Sequence, residues 1–305
     1  MDIAVVGPGG VGGYFGGLLA KAGNNVTFMA RGQHLEAIKA NGLRVSHQEG
    51  EFTLPVRVTD DPGEAGPVEL VIFTVKTYDT EDALPLVKAL MGPETAVLTL
   101  QNGVESYQVL GRALGEERVL PGAAYIESGV VAPGHVQQMG DIVRIVLGEV
   151  DGSESPRSRK IYQALRDGGI NTELSPDVLI TLWTKFLFIA SLAGVTSACR
   201  RQMGLLLEDP AYRGMLVSAM GEIEAVARAR GIGLDPQVVP NTMAYIEGSV
   251  KDLKASMHTD LEMGRRLELE ALNGAVVRLG REAGAETPVN NMLYLVLKPY
   301  IGGAA

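Results

Sequence analysis

The chain predicts an α/β fold: a doubly wound sheet in the N-terminal part, followed by an all-α C-terminal domain. Three observations carry that expectation. Within the first 176 of 305 residues, short uninterrupted apolar runs alternate with helical patterns, the order of a mostly parallel sheet covered on both faces. A glycine-crowded stretch, Gly7-Pro8-Gly9-Gly10-Val11-Gly12, stands between the first apolar run and the first helical pattern. After Ser175, Pro176 and Asp177 the strand signals stop and helical periodicity takes over. The domain boundary is therefore placed at residue 176, giving domains 1–176 and 177–305.

The elements follow in order. IAVVG, NVTFMA, LVIFTV and AVLTL read as strands buried on both faces, because apolar side chains fill consecutive positions rather than alternate ones. Residues 10–22, 33–41 and 104–114 read as helices between them, and further strands are expected at 51–58, 135–139, 142–149 and 170–174. Asp177 is placed to cap the next helix by accepting a first-turn amide. The helices of the second domain are expected at 177–194, 210–230, 235–250, 260–283 and 288–299. This pairing of domains predicts a ligand cleft between them.

Composition narrows the function classes. A length of 305 residues exceeds one ordinary core, and 46% hydrophobic residues imply packed globular structure. Cys199 is the one cysteine, so no intramolecular disulfide forms, and a reducing, cytoplasmic compartment is expected. The strand pattern begins at Asp2, leaving no room for a signal segment. Lys185 interrupts the best apolar run, so no membrane span is expected. A formal charge of −9 argues against a nucleic-acid partner. The long apolar helices leave a homodimer open.

GPGGVG matches G-x-G-x-x-G in the strand–loop–helix context that gives the pattern meaning, a Rossmann-type dinucleotide site. There the first glycine (Gly7) permits a tight turn, the second (Gly9) lets backbone approach a pyrophosphate, and the third (Gly12) lets helix and strand pack closely. Amides at the helix N-terminus then bind the anion. The alternative is a glycine-rich turn without a ligand. An NAD site places Asp or Glu about 20 residues further on, against the ribose hydroxyls. NNVTFMARGQ at 24–33 has no acid and carries Arg31 instead. A guanidinium clamps the 2′-phosphate of NADP, so NADPH/NADP is the expected cofactor. His34, in the next helix, reads as a cap or surface residue rather than a catalyst.

Two polar groups end apolar runs: Lys76 in VIFTVKT and Asn102 in VLTLQNG. Ligands lie beyond the carboxyl ends of strands in such sheets, so each side chain is either a cofactor or substrate contact, or a solvated charge and a turn amide. In the second domain, Lys185 shares a narrow stripe with Thr181, Thr184 and Ser191, facing either water or a polar cleft. Glu268 falls on the apolar face defined by Leu261, Leu272, Ala275, Val276 and Leu279 when 260–283 is drawn as one helix. An unpaired buried carboxylate is costly, so Glu268 either has a cationic partner or faces the cleft.

Taken together, GPGGVG, Arg31, VKT at 75–77, QNG at 101–103, LWTK at 182–185, SM at 256–257 and ELEALNG at 268–274 make the chain similar to the 2-dehydropantoate 2-reductases, or ketopantoate reductases, over nearly its whole length. The resemblance implies NADPH-dependent reduction of a small-molecule 2-oxo acid to a 2-hydroxy acid, with ketopantoate the first substrate to consider, in pantothenate and coenzyme A biosynthesis. It implies that residues 7–12 hold the pyrophosphate and Arg31 the 2′-phosphate, and that Lys76 and Asn102 contact the cofactor, Asn102 also lying near substrate. Lys185 is then the proton donor, Ser256 binds the substrate carboxylate, and Glu268 sits by Lys185 and the cofactor; no metal is required. A lysine with an ordinary pKa of about 10.4 is a poor acid at neutral pH, so partial burial is expected to lower it, with Glu268 keeping the proton in place.

The chain departs from the family at three positions. Where asparagines usually follow the lysine by four and eight residues, and again further on, stand Ile189, Ala193 and Met203. Apolar groups cannot bond the hydroxyl of ketopantoate; Ser191, Thr196 or Ser197 compensate, or the substrate is a more apolar 2-oxo acid. The rivals are therefore a sister reductase of another 2-oxo acid and a non-catalytic NADP-binding redox sensor.

Overall fold

The computed structural model describes residues 1–249 and 254–303. Val250, the last residue of the helix expected over 235–250, and residues 304–305, the end of the expected second domain, lie outside the described residues. The chain divides into two compact units, Met1–Gln101 with Glu105–Val178 and Asn102–Val104 with Leu179–Ala305. The short segment after the strand end at Gln101 thus belongs with the helices, which the sequence does not anticipate.

The first unit is built on a ten-stranded sheet. Its strands are β1 (Asp2–Val6), β2 (Asn25–Met29), β3 (Leu43–His47), β4 (Gly50–Leu54), β5 (Arg57–Thr59), β6 (Val68–Phe73), β7 (Met91–Thr99), β8 (Val119–Ala132), β9 (His135–Leu147) and β10 (Thr172–Leu174). The spatial order is β4-β3-β9-β8-β7-β6-β1-β2-β5, with β10 on β9. From β8 through β5 every pairing is parallel. The chain goes from β1 to β2 on one side and later fills β6 on the other, so β1 and β6 flank the switch point where such sheets bind ligands.

The helices are α1 (Gly10–Lys21), α2 (Gly32–Asn41), α3 (Pro62–Ala65), α4 (Thr80–Ala89), α5 (Ser106–Leu114) and α6 (Pro156–Asp167). Alternate strand residues feed opposite cores. Ile3 and Val5 of β1 pack with Phe15 and Leu19 of α1 and Leu165 of α6. Ala4 and Val6 pack with Val87 of α4 and Leu110 of α5. Burial on both faces is why β1, β2, β6 and β7 read as continuous apolar runs.

Several expectations need correction. The strand expected over 51–58 is two strands, β4 in an antiparallel hairpin with β3 and β5 parallel to β2. The strands expected at 135–139 and 142–149 are one strand, β9, whose antiparallel pairing with β8 carries register shifts between Tyr125 and Glu127 and between Val130 and Ala132. β3, β8, α3, α4 and α6 stand where the sequence predicts no element.

The second unit contains α7 (Val178–Cys199), α8 (Met203–Leu207), α9 (Pro210–Ala229), α10 (Val238–Ser249), α11 (Ser256–Glu262), α12 (Asn273–Ala283) and α13 (Pro288–Leu297). α8, α10, α12 and α13 all pack on α9. Asn273 opens α12, fully buried, and donates to the Ala190 carbonyl of α7 (3.2 Å) and to Asn290 Oδ1 of α13 (3.1 Å). Ser175 Oγ accepts from the amide of Asp177 at the entry to α7 (3.1 Å). At 22 residues α7 is, by length and composition, apolar enough to cross a membrane despite Lys185, and most of it is buried.

The helix expected over 260–283 is broken. α11 ends at Glu262, Gly264 takes a left-handed φ of 63°, and the amides of Gly264 and Arg265 bond back to Leu261 O (3.1 Å) and Asp260 O (2.8 Å). That is a Schellman end, and the chain stays irregular until α12 begins at Asn273.

Candidate active site

The glycine loop runs from the end of β1 into α1. Gly7 has φ of 85°, and a side chain there would meet the backbone nitrogen of Val75 at 2.7 Å. Thr74, just past β6, donates through Oγ1 to the carbonyls of Val6 (3.2 Å) and Gly7 (2.8 Å), so the ends of β1 and β6 are tied at the switch point. Gly10 lies under β8, where a Cβ would come 2.5 Å from the Ser128 carbonyl. Gly12 is closed in by Thr74 and the Gly7 carbonyl. Gly9 alone of these four has nothing within 4 Å of a Cβ position. Gly9 also brings no capping side chain to α1, so the first-turn amides at Gly10 and Val11 are not claimed by a cap. A bare backbone at a 12-residue helix's N-terminus fits a dinucleotide pyrophosphate. Pro8 is buried between Gly7 and Gly9.

Arg31 precedes α2 with its side chain 80% exposed and pairs with Asp79 at 3.2 Å. An exposed pair of this kind is worth at most about 1 kcal/mol, and the guanidinium has five N–H donors, so a phosphate can take it up. Lys76 opens the turn Thr77–Asp79 after β6, and its carbonyl accepts the Asp79 amide (2.9 Å). Gln101, which sequence reading passed over, donates to the Val75 carbonyl and to Thr80 Oγ1, each at 2.9 Å, and so fixes the same turn from β7. His34 is neither a cap nor a plain surface residue: it bridges Pro8 O (2.9 Å) and the amide of Gly134 (3.0 Å).

The second unit gathers three of the expected residues. Lys185 Nζ donates to Asn102 Oδ1 at 3.0 Å. Asn102 is placed there by Gly103, whose φ is 94° and which passes close to the Ala271 carbonyl. Glu268 is only 6% exposed and lies in the irregular chain between α11 and α12, not on a helix face. Its charge acts on Lys185: burial pushes the ammonium down from 10.5 to about 8, and Glu268 pushes the other way. Of the two readings of Glu268, the structure supports a carboxylate facing a cation.

Ser256 is the first residue of α11 and is exposed. Ala193 and Met203 are buried apolar residues, and Ile189 is half-buried. The hydroxyls of Ser191 and Thr196 donate to carbonyls of their own helix, Leu187 (2.6 Å) and Leu192 (2.8 Å). Ser191 is fully buried and is no part of a solvated stripe. Among the described residues, no group of His, Cys, Asp and Glu side chains is arranged to hold a metal ion.

A parallel sheet with a bare glycine loop at its switch point, and a lysine with a lowered pKa held by an amide and a carboxylate, define an oxidoreductase of the dinucleotide-dependent class. The family profile described as "Ketopantoate reductase PanE/ApbA" matches residues 3–152, and its C-terminal counterpart matches residues 177–300. The chain belongs to the ketopantoate reductase family. It is 31% identical over 300 residues to the uncharacterized oxidoreductase YkpB of Bacillus subtilis, covering 98% of this chain and 99% of that one. It is 32% identical over 292 residues to a 2-dehydropantoate 2-reductase of Archaeoglobus fulgidus, covering 95% of each. The crystal structure of 2-dehydropantoate 2-reductase from Geobacter metallireducens superposes with a TM-score of 0.93 at 31% identity, covering 98% of this chain and 99% of that one. As an enzyme of this family, the protein is a nicotinamide-dependent oxidoreductase acting on a CH–OH group.

Proposed function

We propose that the protein reduces a 2-oxo acid to the 2-hydroxy acid with NADPH, acting in the cytoplasm, and that ketopantoate is the first substrate to test. The observation that carries this reading is Lys185, bonded to Asn102 and shifted to about 8 by burial opposed by Glu268. The nicotinamide, when bound, supplies a hydride to the ketone carbon. Lys185 then releases one proton from Nζ to the oxygen that becomes the hydroxyl, and recovers it from solvent. A pKa of about 8 leaves the ammonium mostly charged at neutral pH and makes it a far better acid than an ordinary lysine. Asn102 Oδ1 accepts from Nζ and so orients the ammonium, and Glu268 keeps it protonated until the transfer. Residues 7–12 hold the pyrophosphate, Arg31 the 2′-phosphate, Lys76 the cofactor ribose, and Ser256 the substrate carboxylate.

A second reading keeps the reaction and changes the acid. Ile189, Ala193 and Met203 offer no hydrogen bond, and the donors of Ser191 and Thr196 are spent within α7, which leaves Ser197, buried and with its hydroxyl unpartnered among the described residues, as the one group able to compensate. That favours a 2-oxo acid without the hydroxyl of ketopantoate. A redox sensor has no use for the Lys185–Asn102–Glu268 group. The test is NADPH oxidation across hydroxylated, branched aliphatic and aromatic 2-oxo acids. Turnover highest with ketopantoate supports the first reading, turnover highest with an unhydroxylated acid the second, and binding of NADPH without turnover of any acid the sensor.

A further inference from the structure

We propose that His34, held as its neutral Nε2–H tautomer, is a positioning residue that fixes the Pro8–Gly9 peptide of the glycine loop and makes dinucleotide affinity depend on a proton. The proposal rests on the dinucleotide reading of that loop. The Gly134 amide can only donate, so the ring atom it meets at 3.0 Å, Nδ1, carries a lone pair. The one ring hydrogen of a neutral imidazole then sits on Nε2, which donates to the Pro8 carbonyl at 2.9 Å. The other end of the same peptide, the Gly9 amide, donates to Gly7 O at 2.7 Å. Gly9 has no side chain and nothing near its Cβ position, so on that side the hydrogen bonds set how the peptide is turned. The next amides along the chain are those of Gly10 and Val11 at the start of α1.

An imidazolium carries hydrogens on both nitrogens and cannot accept from Gly134. Protonation therefore breaks the bridge between the loop and the β8–β9 turn. Burial holds the His34 pKa below its ordinary value, with the Pro8 carbonyl opposing. The charged and titratable groups around it are few. Arg31, one turn earlier, is exposed and paired with Asp79. Glu36 and Lys39 of α2 are exposed. On the turn side, His135 bonds Ser46 Oγ at 2.8 Å and feels Arg44 and Glu51.

The experiment titrates full-length protein with NADPH at pH values from below to above the ordinary imidazole pKa of about 6.5, in the wild type, His34→Gln, His34→Ala and His135→Gln. Melting temperature checks the fold of each. Wild-type Kd rises as the pH falls. His34→Gln offers both a donor and an acceptor at every pH, so it keeps near-wild-type affinity and flattens the profile. His34→Ala removes both bonds of the bridge, of which the one to the Pro8 carbonyl bears directly on the loop; it weakens binding roughly three- to tenfold at the upper end and is also flat. Nitrogen-15 NMR of the imidazole shows the Nε2–H tautomer, and NADPH lowers its pKa. A pH profile unchanged in both His34 variants, one abolished by His135→Gln, or an Nδ1–H tautomer each overturns the proposal. A wild type that binds neither NADPH nor NADH removes the dinucleotide reading itself. If His34→Ala does not fold, His34→Gln and the NMR measurement decide.

Discussion

The Lys185 ammonium donates to Asn102 Oδ1 across 3.0 Å, although the two residues are 83 positions apart in the chain. If this ammonium is the proton donor, Lys185→Ala retains NADPH binding and loses about 10²–10⁴ in kcat. In the wild type kcat falls as the pH rises through about 8, because the deprotonated amine has no proton to give. Glu268 raises the Lys185 pKa, so Glu268→Gln moves that fall to lower pH. A steady-state pH profile of both proteins checks the sign.

The same pair predicts a non-additive effect on stability. Lys185→Met removes an ammonium whose burial is costly, together with the attraction between it and Glu268, itself only 6% exposed. Removing one partner of a buried charge interaction costs up to about 3–5 kcal/mol, which outweighs the relief, so the single variant melts lower than the wild type. Adding Glu268→Gln removes the other member of the interaction, so the double variant loses less than the two single losses added together. Calorimetry on the four members of the cycle measures the coupling.

Arg31→Ala separates the two nicotinamide dinucleotides. A charge-assisted hydrogen bond to phosphate is worth about 1.5–3 kcal/mol, so NADPH affinity falls at least tenfold while NADH affinity barely moves. Equal losses for both cofactors, read by fluorescence titration, remove Arg31 from this role.

Gly9 and Gly10 are neighbours with opposite predicted behaviour. Gly9 has φ of −73° and open space at its Cβ position, so Gly9→Ala folds normally and weakens dinucleotide binding. Gly10→Ala drives a methyl group to 2.5 Å from the β8 backbone, which cannot yield as a side-chain tip would. It lowers stability by about 1–3 kcal/mol. Melting curves with and without NADPH distinguish the two.

Much of this was legible in the sequence where one environment decides the residue. The buried stretches of β1, β2, β6 and β7 are mostly runs of consecutive apolar residues because both their faces are covered. The loop at 7–12 could be placed because strand, glycines and helix coincide. β8 was missed because its sequence, VLPGAAYIESGVVA, holds two glycines and a proline; it pairs parallel with β7 at one end and antiparallel with β9 beyond. α4 was masked by Pro85 and its acidic first turn. α6 carried a usable signal, Ser155 accepting from the Ser158 amide ahead of Pro156, that was not read. Glu268 stands out in the sequence for its apolar neighbours, but it lies in the irregular chain before α12 and not on a helix. Gly264, followed by two arginines, is the stop that was overlooked. The Asn102–Lys185 contact was invisible, since no local pattern reports a bond between distant segments.

α7 bears on how this protein is made. While the ribosome is still extending the chain, its 22 residues emerge as a segment that export machinery recognises by length and apolarity. The amine at position 185 is the one formal charge within it, and insertion scales penalise a central lysine by about 2.5–3.5 kcal/mol. The group assigned to proton delivery therefore also biases the nascent polypeptide away from the lipid bilayer. Substituting leucine there would remove the acid and that penalty together.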